Sequence, residues 1–144
     1  MNHFLTENFY KQRAEFTKES GARDKKLPFP EDVIEQKDLP YCDDASDTHR
    51  LDMFRSKGRD GEILPVIVNV HGGGLLLGSK EFNRFYCARL SAMGFLVYSV
   101  EYRLVPDCEF YDQLSDLSAA MDFIKERIHS DNGDLSRVYA VGDS

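Results

Sequence analysis

The sequence predicts an α/β chain built on a mostly parallel sheet, and three observations lead there. Short apolar, largely β-branched runs recur at residues 65–70, 95–100 and 138–141. Longer segments with helical periodicity separate them, as crossovers between parallel strands require. Within each run the apolar residues are consecutive and do not alternate, which is the pattern of strands covered on both faces. Crossovers of this kind are right-handed by default.

Each element has its own signals. Residues 2–20 read as a helix with Leu5, Phe9 and Phe16 on one side. Residues 21–40 carry Pro28, Pro30 and Pro40 and read as a linker or extended arm. Residues 48–55 alternate, with Leu51 and Met53 on one face and Arg50 and Asp52 on the other, as an early antiparallel strand does. Residues 57–61 hold two glycines among charges and read as a hairpin turn. Ser79 suits the N-cap of the next helix. Phe82, Phe85, Tyr86, Leu90 and Met93 follow at helical spacing, and Gly94 is the stop signal. In the last helix Phe110, Leu114, Leu117, Met121, Ile124 and Ile128 form one stripe for packing on a sheet. Residues 130–134 are a polar turn before the final strand.

Composition excludes several functions. The 144 residues are 42% hydrophobic and 30% charged, a globular mixture large enough for one core. The net charge of -7, from 18 basic against 25 acidic residues, argues against nucleic acid or an anionic membrane as partner. Residues 1–9 hold no apolar segment of signal-peptide length, and no run approaches a membrane span. Cys42, Cys87 and Cys108 are odd in number and lack a C-x-x-C pair, so neither a zinc motif nor a redox motif is expected. Reduced thiols point to a cytoplasmic protein. Cys87, inside a helical pattern, reads as a small core residue. Asp131-Asn132-Gly133-Asp134 lacks the spacing and closing glutamate of a calcium loop. No metal and no cofactor is expected.

The chemistry concentrates at two strand ends. The run at 66–70 leads straight into His71-Gly72-Gly73-Gly74, and the run at 138–141 leads into Gly142-Asp143-Ser144. Consecutive glycines let backbone amides approach a substrate without an intervening Cβ. Amides aimed at a carbonyl oxygen stabilise the negative charge that acyl transfer places there. A third segment, Tyr102-Arg103-Leu104-Val105-Pro106, follows the middle strand. A strand ending in His-Gly-Gly-Gly, then Tyr-Arg-Leu-x-Pro, then a strand ending in Gly-Asp-Ser, resembles the hormone-sensitive-lipase-like esterases of the α/β-hydrolase superfamily, from about Asp38 onward.

The resemblance implies the N-terminal part of an α/β-hydrolase fold, a mostly parallel sheet with flanking helices and an N-terminal hairpin. Residues 1–38 become an N-terminal helix and linker, either a surface helix packed on the domain or a contribution to a substrate-covering cap, and residues 39–144 an incomplete hydrolase core. Ser144 becomes the nucleophile. Gly72, Gly73 and Gly74 become the oxyanion hole, with Gly73 and Gly74 as donors and Gly72 shaping the approach. His71 braces the loop and is not the base, and Arg103 ties loops together. Asp107 stands where the family often has glutamate. His3, His49 and His129 have no motif around them and read as surface or turn residues.

The expected function is a fragment of a serine carboxylic-ester hydrolase working through an acyl-enzyme on a small-molecule ester. The second half of G-x-S-x-G, the acid and the base are not among these residues, so the 144-residue chain is expected to be inactive alone. It is also expected to self-associate through an exposed sheet edge. Two alternatives stand beside this reading. One is a non-catalytic small-molecule-binding remnant of the same fold. The other is a dinucleotide-binding domain, for which Gly72, Gly74 and Gly78 are one residue too widely spaced and Glu101 comes too late.

Overall fold

The computed structural model describes residues 3–144. Five strands form one sheet: β1 (Val33–Pro40), β2 (Arg50–Ser56), β3 (Leu64–Val70), β4 (Leu96–Val100) and β5 (Gly133–Gly142). Their order is β1-β2-β4-β3-β5. β1 pairs antiparallel with β2, and β2 antiparallel with β4, while β3 runs parallel to both β4 and β5. The helices are α1 (His3–Asp24), α2 (Arg84–Ala92) and α3 (Phe110–Arg127).

Strand order decides where the helices go. The connection through α2 moves one place along the sheet, from β3 to β4. The connection through α3 moves back, from β4 past β3 to β5. Right-handed crossovers in opposite directions place their helices on opposite faces. The core is accordingly double. On one face Ala120 and Ile124 of α3, with Ile128 just beyond it, pack on Leu51, Val66, Leu96 and Tyr98. On the other face Cys87 and Ala88 of α2 pack on Phe54, Ile67 and Val97. Each fully buried aliphatic or aromatic side chain here contributes about 1.5–3 kcal/mol.

Several local expectations need correction. The helix expected over residues 2–20 runs on to Asp24, and Asn2, like Met1, lies outside the described residues. The arm expected over residues 21–40 ends in a true strand, β1, because its backbone groups pair with β2. The N-terminal hairpin therefore turns through residues 41–49. The turn after β2 is a short 3-10 segment, Lys57–Arg59, and it leads to a strand two places away. Residues 51–56 are buried on both faces although the sequence alternates, since even the polar members find internal partners. Arg55, for one, donates to the carbonyls of Asp131, Arg59 and Glu62. Ser79 does not cap a helix, and a 3-10 turn, Lys80–Asn83, intervenes before α2. The apolar stripe read on α2 is only partly turned to the sheet, with Leu90 half-buried against the core. Tyr86 and Met93 are exposed, and the sheet is met by the small residues Cys87, Ala88 and Ser91. Close approach of helix to sheet favours the small residues. In α3 the buried row is Gln113, Asp116, Ala120 and Ile124, while Phe110, Leu114 and Met121 stay exposed. Glu109 and Asp112 close a reciprocal cap at its start.

Burial pushes the Cys87 thiol up to about 12, whereas Cys42 and Cys108 are only half-buried. Alkylation near pH 8 in native buffer should label Cys42 and Cys108 and spare Cys87 until denaturant is added, as read by peptide mass spectrometry. Native labelling of Cys87 at the rate of the other two would contradict the packing of α2 on the sheet.

Candidate active site

Three loops leave the same edge of the sheet because of register. Val70 at the end of β3 sits opposite Val100 in β4 and Gly142 in β5. The connections after β3 and β4 depart to opposite faces, and a crevice opens at the carboxyl ends of such strands. The sequence places His71-Gly72-Gly73-Gly74, Glu101-Tyr102-Arg103 and Asp143-Ser144 at these three ends.

The loop after β3 is braced at both ends by one carboxylate. Glu101 Oε1 bonds His71 Nε2 at 2.9 Å, and its Oε2 accepts the Lys80 backbone N–H at 3.1 Å. The other nitrogen of His71, Nδ1, faces the Gly72 carbonyl at 3.0 Å. The buried imidazole lies flat on the Tyr102 ring, 4.4 Å between centroids, and the Tyr102 hydroxyl donates to the His71 carbonyl at 2.7 Å. With both ring nitrogens engaged, His71 holds the loop and is not free to act as a base. Glu101 is the residue that motif reading missed. It is equally committed against any ribose-binding role. Lys80 anchors the far end, with its ammonium 2.8 Å from Asp38 and 2.9 Å from Asp52. Burial works against the Lys80 charge, but the bonds to Asp38 and Asp52 outweigh it and raise its pKa. Burial raises the Asp52 carboxyl in turn, despite Lys80.

The loop meets the end of β5 directly. The Gly72 N–H donates to Asp143 Oδ1 at 3.1 Å, and Asn83 Nδ2 donates to the same oxygen at 2.7 Å. A Cβ built on Gly72 would fall 2.6 Å from the Asp143 carbonyl carbon and 2.7 Å from the Ser144 carbonyl carbon. Only glycine permits that approach. Gly74 instead needs glycine for its conformation, φ +61°, with open space where a Cβ would go. Among the described residues the Gly73 and Gly74 N–H groups have no hydrogen-bond partner. Gly72, Gly73, Gly74 and Ser144 line one cleft of about 330 Å³. Its apolar wall includes the exposed Phe110 and Leu114 of the α3 stripe, together with Leu117, which also packs against the core.

Other loops are fastened around this edge. Arg103 grips the buried Asp116 carboxylate, Nη2 to Oδ1 at 2.7 Å and Nε to Oδ2 at 2.9 Å. Gln113 donates to the carbonyls of Leu75 and Arg103, linking the loops after β3 and β4. Helix α1 buries no side chain fully and is held at its middle by Arg13. The Arg13 guanidinium donates to the carbonyls of Leu76 and Val105 and pairs with Asp107, which also accepts from the Tyr10 hydroxyl. His49 is not a surface residue. It lies between Asp44 and Asp116 and is taken up below.

The match to the BD-FAE family model covers residues 51–144, about two thirds of the chain. The chain belongs to the BD-FAE family. Among its relatives, a probable isoprenylcysteine α-carbonyl methylesterase of Oryza sativa subsp. japonica is 34% identical over 96 residues, 67% of this chain and 22% of the rice protein. Carboxylesterase NlhH of Mycobacterium tuberculosis is 39% identical over 83 residues, 56% of this chain and 26% of that protein. The crystal structure of an inhibited esterase B from Lactobacillus rhamnosis superposes with a TM-score of 0.93 at 27% identity, covering 99% of this chain and 46% of that one. The fold is thus the N-terminal part of an α/β-hydrolase of the hormone-sensitive-lipase-like type. The chain spans about a fifth of the rice methylesterase and under half of the solved esterase. No described helix is long and apolar enough to cross a membrane.

Two predictions test this geometry. Gly72→Ala should pry the glycine loop from the end of β5, because the clash is with backbone and not with a flexible side chain. Amide exchange at residues 141–143 should accelerate in Gly72→Ala and stay near wild type in Gly74→Ala, whose cost is conformational, about 1–2 kcal/mol. The Asp107 carboxyl is held below its ordinary range by the Tyr10 hydroxyl and then the Arg13 guanidinium. A carboxyl with a lowered folded pKa contributes stability above its unfolded pKa, and that contribution is lost as pH falls through the folded value. Helix α1 should therefore loosen below about pH 4, seen as faster proteolysis within residues 3–24. The effect is modest, about 0.5–1 kcal/mol, since Asp107 is 45% exposed. Arg13→Ala should show the same loosening at neutral pH.

Proposed function

We propose that these residues carry the nucleophile and the oxyanion loop of a serine hydrolase acting on carboxylic esters of small molecules. The observation that carries the reading is the pair of unpartnered amides, Gly73 and Gly74, in the cleft that Ser144 also lines. In the proposed reaction Ser144 Oγ attacks the ester carbonyl carbon and the carbonyl electrons move onto oxygen. The Gly73 and Gly74 amides stabilise that oxyanion. One such donor is worth roughly 10²–10³ in rate. A base takes the Ser144 proton and passes it to the leaving oxygen, so that collapse expels the alcohol and leaves an acyl-enzyme, which water then cleaves to the free acid. The names of the relatives, a methylesterase and a carboxylesterase, support an ester substrate. The apolar wall of Phe110, Leu114 and Leu117 suits an aliphatic or aromatic group on it.

The base is proposed to lie outside these 144 residues. His71 has both nitrogens bound, His49 is flanked by two carboxylates, and His3 lies beside Glu7 on α1. A serine hydroxyl without a base is a poor nucleophile, so the chain alone is expected to be inactive. The outer edge of β5, with Leu135 and Tyr139 exposed, supports self-association of the isolated chain.

Fusing the second half of the Lactobacillus rhamnosis esterase B after Ser144 tests the reading. The chimera should hydrolyse p-nitrophenyl butyrate and lose that activity in Ser144→Ala. The unfused chain should show no turnover and should elute as an oligomer that the chimera does not form. A folded chimera that binds an ester analogue in the cleft but never turns over would favour the binding-only alternative.

A further inference from the structure

The hairpin loop between β1 and β2 carries a second cluster with its own chemistry. The Tyr41 N–H donates to the His49 carbonyl at 3.1 Å and closes the base of the loop, bringing Cys42 alongside His49. The Tyr41 hydroxyl donates to the Thr48 carbonyl, and Ser46 and Thr48 share a hydroxyl contact of 2.8 Å. Within this closed loop the Cys42 Sγ, a carboxylate oxygen of Asp44 and a ring nitrogen of His49 lie within 4.8 Å of one another. We propose that Cys42, Asp44 and His49 bind a divalent cation of the zinc type, with water in the fourth position.

Support for the ligands is already in place. Asp116, 3% exposed, has Oδ1 3.1 Å from His49 Nε2. A carboxylate on one imidazole nitrogen is the arrangement that aims the other nitrogen at a metal. The other nitrogen, Nδ1, faces Asp44 Oδ2 at 2.6 Å. A lone pair and a carboxylate oxygen at that distance repel each other unless a proton or a metal ion lies between them. The remaining Asp44 oxygen accepts the Ser46 N–H at 3.0 Å, which orients the carboxylate. Tetrahedral zinc, with bonds of about 2.0–2.3 Å, spaces its ligands roughly 3.5 Å apart. Asp44 must therefore retreat by somewhat under an ångström, and it is exposed and free to do so.

The surrounding charge favours a cation. Two carboxylates, Asp44 and Asp116, face the two nitrogens of the His49 ring. Arg103 is committed to Asp116. A thiolate and an imidazole beside one carboxylate select zinc over calcium or magnesium, which take oxygen ligands. Uptake of the ion displaces the thiol proton into solvent, so binding strengthens with pH. The bound ion would fasten the β1–β2 loop to α3 through Asp116. The inference does not depend on the proposed esterase function.

Titration of the reduced, chelator-treated 144-residue protein with cobalt(II) tests it. One equivalent should produce a near-ultraviolet thiolate-to-cobalt band, which zinc(II) bleaches, and zinc should raise the melting temperature. Cys42→Ser should remove the band and Cys108→Ser should keep it. Asp44→Ala, at an exposed position, and His49→Ala should each weaken zinc binding by more than about tenfold, the lower end of what losing a supporting partner costs. No one-equivalent band, or a band that survives Cys42→Ser, would overturn the proposal and leave a proton between His49 and Asp44.

Discussion

The Glu101 carboxylate holds the two ends of the glycine loop at once, one oxygen on His71 and the other on the Lys80 backbone. Eight residues of irregular chain, 72–79, lie between those anchors. A loop of that length on a protein surface ordinarily samples many conformations. Here its first residue is buried, stacked on Tyr102 and bonded through both ring nitrogens. Its last is tied to the enclosed Asp52 and to the exposed Asp38. Breaking a buried pair of this kind by removing one partner typically costs about 3–5 kcal/mol. The amides of Gly73 and Gly74 inherit their positions from these anchors.

The sheet makes the anchoring useful. Because β3 is hydrogen-bonded to β4 on one side and β5 on the other, its terminal residue has a fixed neighbour on each strand. A one-residue slip in either pairing would turn the strand's side chains to the opposite face. It would also carry Glu101 away from His71, or Asp143 away from Gly72. The double core, with Ile124 pressing from one face and Cys87 from the other, resists such a slip.

Much of this was legible in the chain, and what was not has physical reasons. Consecutive apolar runs announced β3, β4 and β5, but only β3 and β4 are covered on both faces, whereas β5 is the edge of the sheet and stands largely exposed. The glycine run and Gly-Asp-Ser marked two strand ends that the structure brings together in one cleft. Helix orientation was misread where small or polar residues face the sheet. Cys87, Ala88 and Ser91 carry little hydrophobic signal, yet they let α2 approach closely. Gln113 and Asp116 are buried in α3 because each serves loops that come from elsewhere in the chain. Glu101 and His49 could not be assigned partners without the fold, since their contacts span 30 and 67 residues of sequence.

The buried ammonium of Lys80 has a consequence for whatever enters the cleft. Swinging the loop outward would strand Asp52, fully enclosed, without its counter-ion. On the proposed hydrolase reading, a carbonyl entering the cleft would meet dipoles whose alignment was settled during folding. It would not need to recruit them, and little reorganisation would remain when charge develops. Such a site would gain in rate what it gives up in tolerance, selecting its guests by shape and not by moulding itself around them.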